Sequence, residues 1–487
     1  MQTSNIIVLA GLMVGFATGC TDFIEQPTPA QSLPSDAAFS DVPGLRTALV
    51  GAYDAVQDAD FGAAGLAMNS SILSDNAEWR GSFPSYVEMY ERQLTASNTE
   101  VTGFWEHAYE AINQANLVIR GVETIDDPNL TDDVAAQLRG EALFVRAMAH
   151  FELVRTYGLP YSESSSTNLG VPIMLSPTST SGEITFPARN TVQEVYDAVI
   201  SDLSAAQDLL DSEYEYGFAS STAATALLAD VYFQQRNYEM AASLAGDVIN
   251  AAGFDLTDVP QQPFFSEGSS EEIFAVVSTV QDNPGVNGSL ATFHHVNGRG
   301  GDIVVNEDLL ENGYEMIITE EMYDEAAGDS VVDLRAAVLT SNGIFNVEKY
   351  EDFANNADDL IYIRLATYYL MRAEALVRLN GINEESLELL NTIRNRSLRV
   401  VDEEGAATMN EDLFSYEEDD FDSAEELIDA IVLERRVELA FEPNRLNDLK
   451  RLMRDVRGLP YNSPKLVFPI PQRDLDANDQ LVQNPEY

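Results

Sequence analysis

The sequence predicts a mainly α protein: four tetratricopeptide-like helix pairs packed against a loop-rich region with a few short strands. Three features carry that expectation. ATALLADVYFQQRNYEMAASLAGDVINA, within Ser221–Ala252, reads as two amphipathic helices joined at Arg236–Asn237. Leu228, Ala229 and Tyr232 keep the spacing of a helical repeat, and Ala241 takes the small position of the second helix. Ile361–Arg399 repeats the layout, with Ala373, Ala375 and Leu389 in related places. Long apolar periods of 3.6 also run through Val101–Thr124, Thr131–Tyr157 and the stretch after Thr191. Such a pair cannot bury its apolar face alone, so it needs neighbours. The pairs are centred on Phe39/Trp105, Arg146/Val199, Tyr232/Leu244 and Leu370/Leu389.

The 487 residues are 45% hydrophobic, enough for a large core or two domains. Net charge is −54, which excludes ordinary nucleic-acid binding, because a polyanion is repelled. The only lysines are Lys349, Lys450 and Lys465, so the 27 basic residues are mostly Arg. A dense acidic surface with so little Lys reads as adaptation to high salt, where screening removes self-repulsion.

The chain opens MQTSNIIVLAGLMVGFATGC. Its apolar run Ile6–Phe16 is too short to span a bilayer and reads as a targeting segment. Cys20, the only cysteine, follows the small residues Ala17, Thr18 and Gly19 and resembles the lipidated cysteine of a bacterial lipoprotein. Residues 1–19 are then a signal peptide, and lipid on Cys20 anchors the protein without spanning. Residues 20–34, polar and Pro-bearing, read as an extended tether. A helix is expected from Ser35, with Phe39, Leu45, Leu49 and Tyr53 as its apolar positions.

Phe61–Ser97 lacks a clean period and reads as loop. Asp75, Asn76, Trp79, Arg80, Phe83 and Tyr86 fall there, among Gly and Ser residues. Aromatic rings beside Asp, Asn and Arg suit a sugar or peptide backbone: the ring stacks and the polar groups orient. In the next helix, Trp105 and Tyr109 stand four apart and read as core. In Thr131–Tyr157, Glu141 with Arg146 and Glu152 with Arg155 read as structural pairs, and Gly158–Pro160 stop the helix. Thr191 and Glu194 form a capping-box signature.

EEIFAVVSTV reads as a short strand. Asp282–Asp302 is rich in Gly and Asn and reads as a loop; Phe293, His294, Asn297 and Arg299 are ligand candidates there. His294 and His295 are adjacent, but no third ligand recurs at a recognised spacing, so neither a metal site nor a cofactor is expected. Asp333 and Arg335 read as a structural pair.

Ser423–Arg454 organises the C-terminal half. Ser423 caps a helix with Glu426 three residues on, Pro443 breaks it near Phe441–Asn444, and a second helix starts at Arg445. Glu434, Arg435 and Glu438 enter its buried side, and Glu442, Arg445, Asp448 and Arg451 follow at steps of three. No nucleophile, metal ligand or phosphate loop lies near, so the series reads as structural ion pairs, not catalysis. In the tail LVFPIPQRDLDANDQLVQNPEY, Leu466 and Phe468 are apolar anchors that should hold the end on the protein surface.

Five segments in order carry a resemblance: the Cys20 start, LRGEALFVRAMAHFELVRTYGLP, the Tyr232 and Ala373 helix pairs, ERRVELAFEPNRLNDLKR, and PIPQRDLDAN. Together they resemble the SusD/RagB family of outer-membrane nutrient-uptake lipoproteins. The resemblance implies an N-terminal helical part at 35–260 and a C-terminal SusD/RagB part at 261–487, packed as one unit. It implies a surface-exposed, lipid-anchored protein that catches oligosaccharide or peptide and passes it to a TonB-dependent transporter of the SusC type. No catalysis is implied; a glycosidase needs two facing carboxylates, which spacing cannot pick out among 81 acids. The alternative is a helical-repeat surface scaffold that recruits a protein or enzyme partner.

Overall fold

The computed structural model describes residues 39–318, 322, 326, 329–341 and 345–487. Cys20, the tether and the expected helix start at Ser35 lie outside them. Helix α1 is Val42–Gln57. Its start is set by the Asp41 carboxylate, which accepts from Gly44 N at 2.8 Å, and by Pro43 in the first turn, so Phe39 precedes the helix.

Phe61–Ser97 is more ordered than its pattern suggests. It holds a π-turn at Ala59–Ala63, α2 (Gly65–Leu73), β1 (Ala77–Trp79) and α3 (Pro84–Tyr90). All of α2 is buried, so it has no polar face and no period to read. Next come α4 (Thr99–Thr124), capped by Asn98, and α5 (Asp132–Tyr157), capped by Thr131. The capping box of Thr191 and Glu194 opens α6 (Val192–Leu209). Then follow α7 (Ser221–Gln234) and α8 (Tyr238–Ile249), which turn at Arg236 in the left-handed region, φ 61°.

Strand β2 (Glu272–Val276) is followed by a short helix α9 (Leu290–His294), capped by Ser289 inside the stretch expected to be loop. The remaining strands are β3 (Ile303–Val305), β4 (Ser330–Asp333), β5 (Leu339–Ser341), β6 (Phe345–Val347) and β7 (Leu360–Arg364). Helices α10 (Leu365–Asn380) and α11 (Glu384–Ser397) precede β8 (Leu398–Val401) and β9 (Ala407–Thr408). The sequence places Ile361–Arg364 in the first helix of the last pair. The Ile-Tyr-Ile run instead extends as β7, antiparallel to β2. Two further antiparallel sheets have the orders β1-β3-β6-β5 and β4-β8-β9.

Each expected pair packs together: α1 with α4, α5 with α6, α7 with α8, and α10 with α11. Helix α4 also packs on α5, α6 on α7, and α8 on α10, which makes the pairs a continuous stack. No helix among the described residues is long and apolar enough to cross a membrane. The tail is docked: Phe468 N donates to Thr156 O at 2.8 Å, and Phe468 and Ile470 are fully buried.

Helix α12 (Ala424–Glu438) is capped by Ser423; the chain breaks at Phe441, φ 67°, and resumes as α13 (Arg445–Arg451). The charges of this stretch reach mainly across to other elements. Glu438 meets Arg364 at 2.8 Å, Arg396 at 2.6 Å and Arg335 at 3.4 Å. Glu434 meets Arg335 at 2.5 Å and Arg394 at 3.4 Å. Of the expected steps of three, only Asp448–Arg451 closes, at 3.4 Å. Glu442 holds Arg364 at 2.8 Å and Lys349 at 2.7 Å, and Asp448 holds Arg435 at 2.8 Å. Arg445 turns to Asp75 at 2.7 Å. The break at Phe441 redirects the second helix, so residues spaced for one continuous helix face different neighbours.

Arg146 pairs with Asp202 at 2.7 Å, not with Glu141. Glu141 accepts instead from Tyr53 Oη at 3.0 Å, and burial pushes its carboxyl up to about 7. Glu152–Arg155 forms, as does Asp333–Arg335 at 2.7 Å.

Glu438→Ala leaves Arg335, Arg364 and Arg396 short of a buried counter-charge. Urea unfolding of this variant should show a loss of about 3–5 kcal/mol. Glu374 is fully buried between Arg451 (2.7 Å) and Arg378 (2.7 Å). Burial opposes its ionisation, yet Arg451 and Arg378 outweigh it and draw the carboxyl from 4.5 down to about 2. A depressed carboxylate stabilises the fold above its unfolded pKa, and that contribution fades as pH falls toward the folded value. Stability measured from pH 4.5 down to about 2 should therefore fall less steeply in Glu374→Gln than in the parent.

Candidate functional site

Strand β1 and helix α3 present Trp79, Phe83 and Tyr86, and α9 with the turn after it presents Phe293, Asn297 and Arg299. The fold brings these two distant segments into one cluster. Ring centroids are 4.9 Å apart for Trp79–Tyr86, 5.5 Å for Tyr86–Phe293 and 6.2 Å for both Trp79–Phe293 and Phe83–Phe293. Arg299 lays its guanidinium over Phe83, with Cζ 4.3 Å from the centroid. Asp302 ties the halves together. It accepts from Arg299 Nε at 2.8 Å through its carboxylate and from Arg80 N at 2.7 Å through its carbonyl. Gly81 is required there, because a Cβ would stand 2.4 Å from the Trp79 ring and 2.7 Å from the Asp302 carboxylate carbon.

Burial divides the candidates and corrects several of them. Trp79 is only 7% exposed, and Tyr86 and Phe293 are buried as well, so these rings form the floor and none offers a face to ligand. His294 is fully buried, with Nδ1 2.8 Å from Leu290 O, and burial first of all pulls its pKa down to about 4. Asn76 is buried and accepts from Arg436 Nε at 3.0 Å. Asp75 gives both oxygens to Arg445, each at 2.7 Å. Burial opposes the Asp75 charge, but Arg445 and Arg436 hold its pKa below the usual value. Arg80, Asn297 and Arg299 are exposed and Phe83 is half-buried, so these four reach the surface, with Arg299 covering one face of the Phe83 ring. Arg80 is steadied by Glu78 at 3.0 Å.

His294 and His295 do not converge: His295 stacks on Phe353, centroids 4.8 Å apart. Among the described residues, one group could hold a metal ion: Asp58, Asp60 and His107, with ligand atoms within 4.8 Å of one another. Local spacing shows no sign of it, since His107 sits inside α4 while the aspartates flank the start of the π-turn. Asp302 and Gly81 also escape a sequence reading, because their roles exist only where the two segments meet.

The two roles separate experimentally. Trp79→Ala should cost about 3–5 kcal/mol of stability as a core deletion. Phe83→Ala, on a half-buried ring, should cost about 1 kcal/mol, both read by calorimetric unfolding.

The family model described as starch-binding, associating with outer membrane, matches residues 22–233, and that of the SusD family matches 337–463. SusD-like protein P2 of Formosa agariphila is 27% identical over 515 residues, covering 96% of each chain. SusD-like protein P25 of the same organism is 24% identical over 566 residues, covering 99% of this chain and 98% of its own. A putative sugar-binding protein from Bacteroides vulgatus superposes with a TM-score of 0.76 at 24% identity, covering 92% of this chain and 99% of its own. A SusD superfamily protein from Bacteroides thetaiotaomicron gives 0.75 at 24% identity, covering 92% and 100%. With the stacked helix pairs in place and family models matching on both halves, the chain belongs to the SusD/RagB family.

Proposed function

We propose that this protein captures oligosaccharide on the outer face of the outer membrane and hands it to a TonB-dependent transporter of the SusC type, without catalysing a reaction. The observation that carries the reading is the surface of the aromatic cluster. A half-buried Phe83 is held by Arg299 and flanked by Arg80 and Asn297, above a floor of Trp79, Tyr86 and Phe293. An aromatic ring takes the C–H face of a sugar, and nearby Arg and Asn groups orient its hydroxyls. The neighbouring carboxylates Glu78 and Asp302 are engaged by Arg80 and Arg299, a set suited to holding a ligand rather than cleaving it.

Family descriptions support the ligand class and the compartment: starch-binding with outer-membrane association for the N-terminal match, and sugar binding for the Bacteroides vulgatus protein. Lipid on Cys20 supplies the tether, and residues 20–34 the reach from the membrane.

Titration calorimetry of the mature protein against an oligosaccharide panel should find a binder. Phe83→Ala and Arg299→Ala should each weaken it at least tenfold with little change in melting temperature. A protein that ignores every glycan and binds peptides instead would overturn the ligand class. For the anchor, Cys20→Ala should move the protein from the membrane pellet to the soluble fraction; retention in the pellet would refute a lipid tether.

A further inference from the structure

The interior is rich in positive charge, and nearly all of it is matched. Among the described residues, the buried cations other than Arg189 and Lys450 each sit within ion-pair distance of a carboxylate. Arg189 is satisfied by other means: the carbonyls of Gly170, Leu169, Val482 and Tyr157 and the side-chain oxygen of Asn484 all accept from it. Lys450 is not. It is 4% exposed, and the one acceptor for its three donors is Arg155 O, at 3.3 Å.

Lys450 lines a cavity of about 30 Å³ between α2, α4, α5 and α13, together with Asn69 and Arg155. Asn69 Nδ2 and Arg155 Nε are both buried without a hydrogen-bond partner. Asn69 is 8% exposed and Arg155 9%. Glu152 also lines the cavity; its Oε1 accepts from both Arg155 and Tyr362 Oη, and its ion pair is with Arg155, not Lys450. The unpartnered buried polar atoms on this wall are thus donors, gathered beside an ammonium that lacks a counter-ion. Burying such a charge unmatched is strongly unfavourable.

We propose that the cavity binds a chloride ion, held by Lys450 Nζ and Asn69 Nδ2 with Arg155 beside it. A monatomic anion fits the chemistry because it accepts from every direction and brings no donor of its own. The space exceeds the roughly 10–15 Å³ that one water needs, but it is too small for sulfate or phosphate with their own shells. Burial, aided by Arg155, pulls the Lys450 ammonium down to about 7, which a bound anion would reverse.

Crystals of the mature protein grown in sodium bromide, measured at the bromine edge, test this directly. The expected result is an anomalous peak in the cavity touching Lys450 Nζ and Asn69 Nδ2; water density without anomalous signal overturns the proposal. In solution, the melting temperature should be a few degrees higher in sodium chloride than in sodium gluconate of equal ionic strength. Lys450→Met should lose that chloride-specific increment, and an undiminished increment would count against the site. Should the variant fail to fold, the bromide experiment on the parent chain still decides.

Discussion

Glu438 is the charge on which the rest of the structure leans. Its carboxylate has no exposed surface and is met by three guanidinium groups, from Arg335 after β4, Arg364 at the end of β7 and Arg396 in α11. Glu434, Glu442 and Glu271 extend the cluster through the same arginines and through Arg394 and Lys349. A charge taken from water must find its partners in good geometry or cost several kcal/mol, so each element in the cluster has one acceptable position. The guanidinium suits this work because its fixed fork can serve two carboxylates at once. Arg364 does so between Glu438 and Glu442. In a chain with 81 acidic and 27 basic residues, much of the basic side-chain content is spent inside, and the surface is left acidic.

The same helices set the side that carries the aromatic cluster. Arg436, on α12, reaches Asn76 at 3.0 Å and Asp308 at 2.7 Å, and Arg445, on α13, grips Asp75. These contacts clamp the backbone just before β1. Strand β1 pairs with β3, which fixes the segment bearing Phe293 and Arg299 against Trp79 and Tyr86. Asp75 and Asn76, which the sequence marks as ligand candidates, are thus held by Arg445 and Arg436, and the exposed rim of the aromatic cluster falls to Arg80, Phe83, Asn297 and Arg299.

Much of the fold is legible residue by residue. Ser423 and Thr191 cap the helices they should, and the pairing of α1 with α4, α5 with α6, α7 with α8 and α10 with α11 follows from apolar period and small-residue placement. Of the site, the two contributing segments are legible, but which of their residues face water is not. Trp79 and Phe83 look alike in sequence, yet one closes the floor and the other stands at the rim. The helix α2 is missed because a segment buried all round shows no alternation, and β7 is missed because its partner β2 lies almost ninety residues earlier.

By itself, the sequence determined what depends on neighbours within one turn: caps, helix stops at Gly158 and Phe441, the apolar stripes, and the rank of charged residues entering a buried face. Only the tertiary structure decided which charge meets which. Glu442, Arg445 and Asp448 stand at helical spacing but find Arg364, Asp75 and Arg435. The physical reason is range. Caps and periods arise from contacts three or four residues apart, written in adjacent letters. A buried ion pair or an exposed ring is fixed by distant segments that meet only when the core closes.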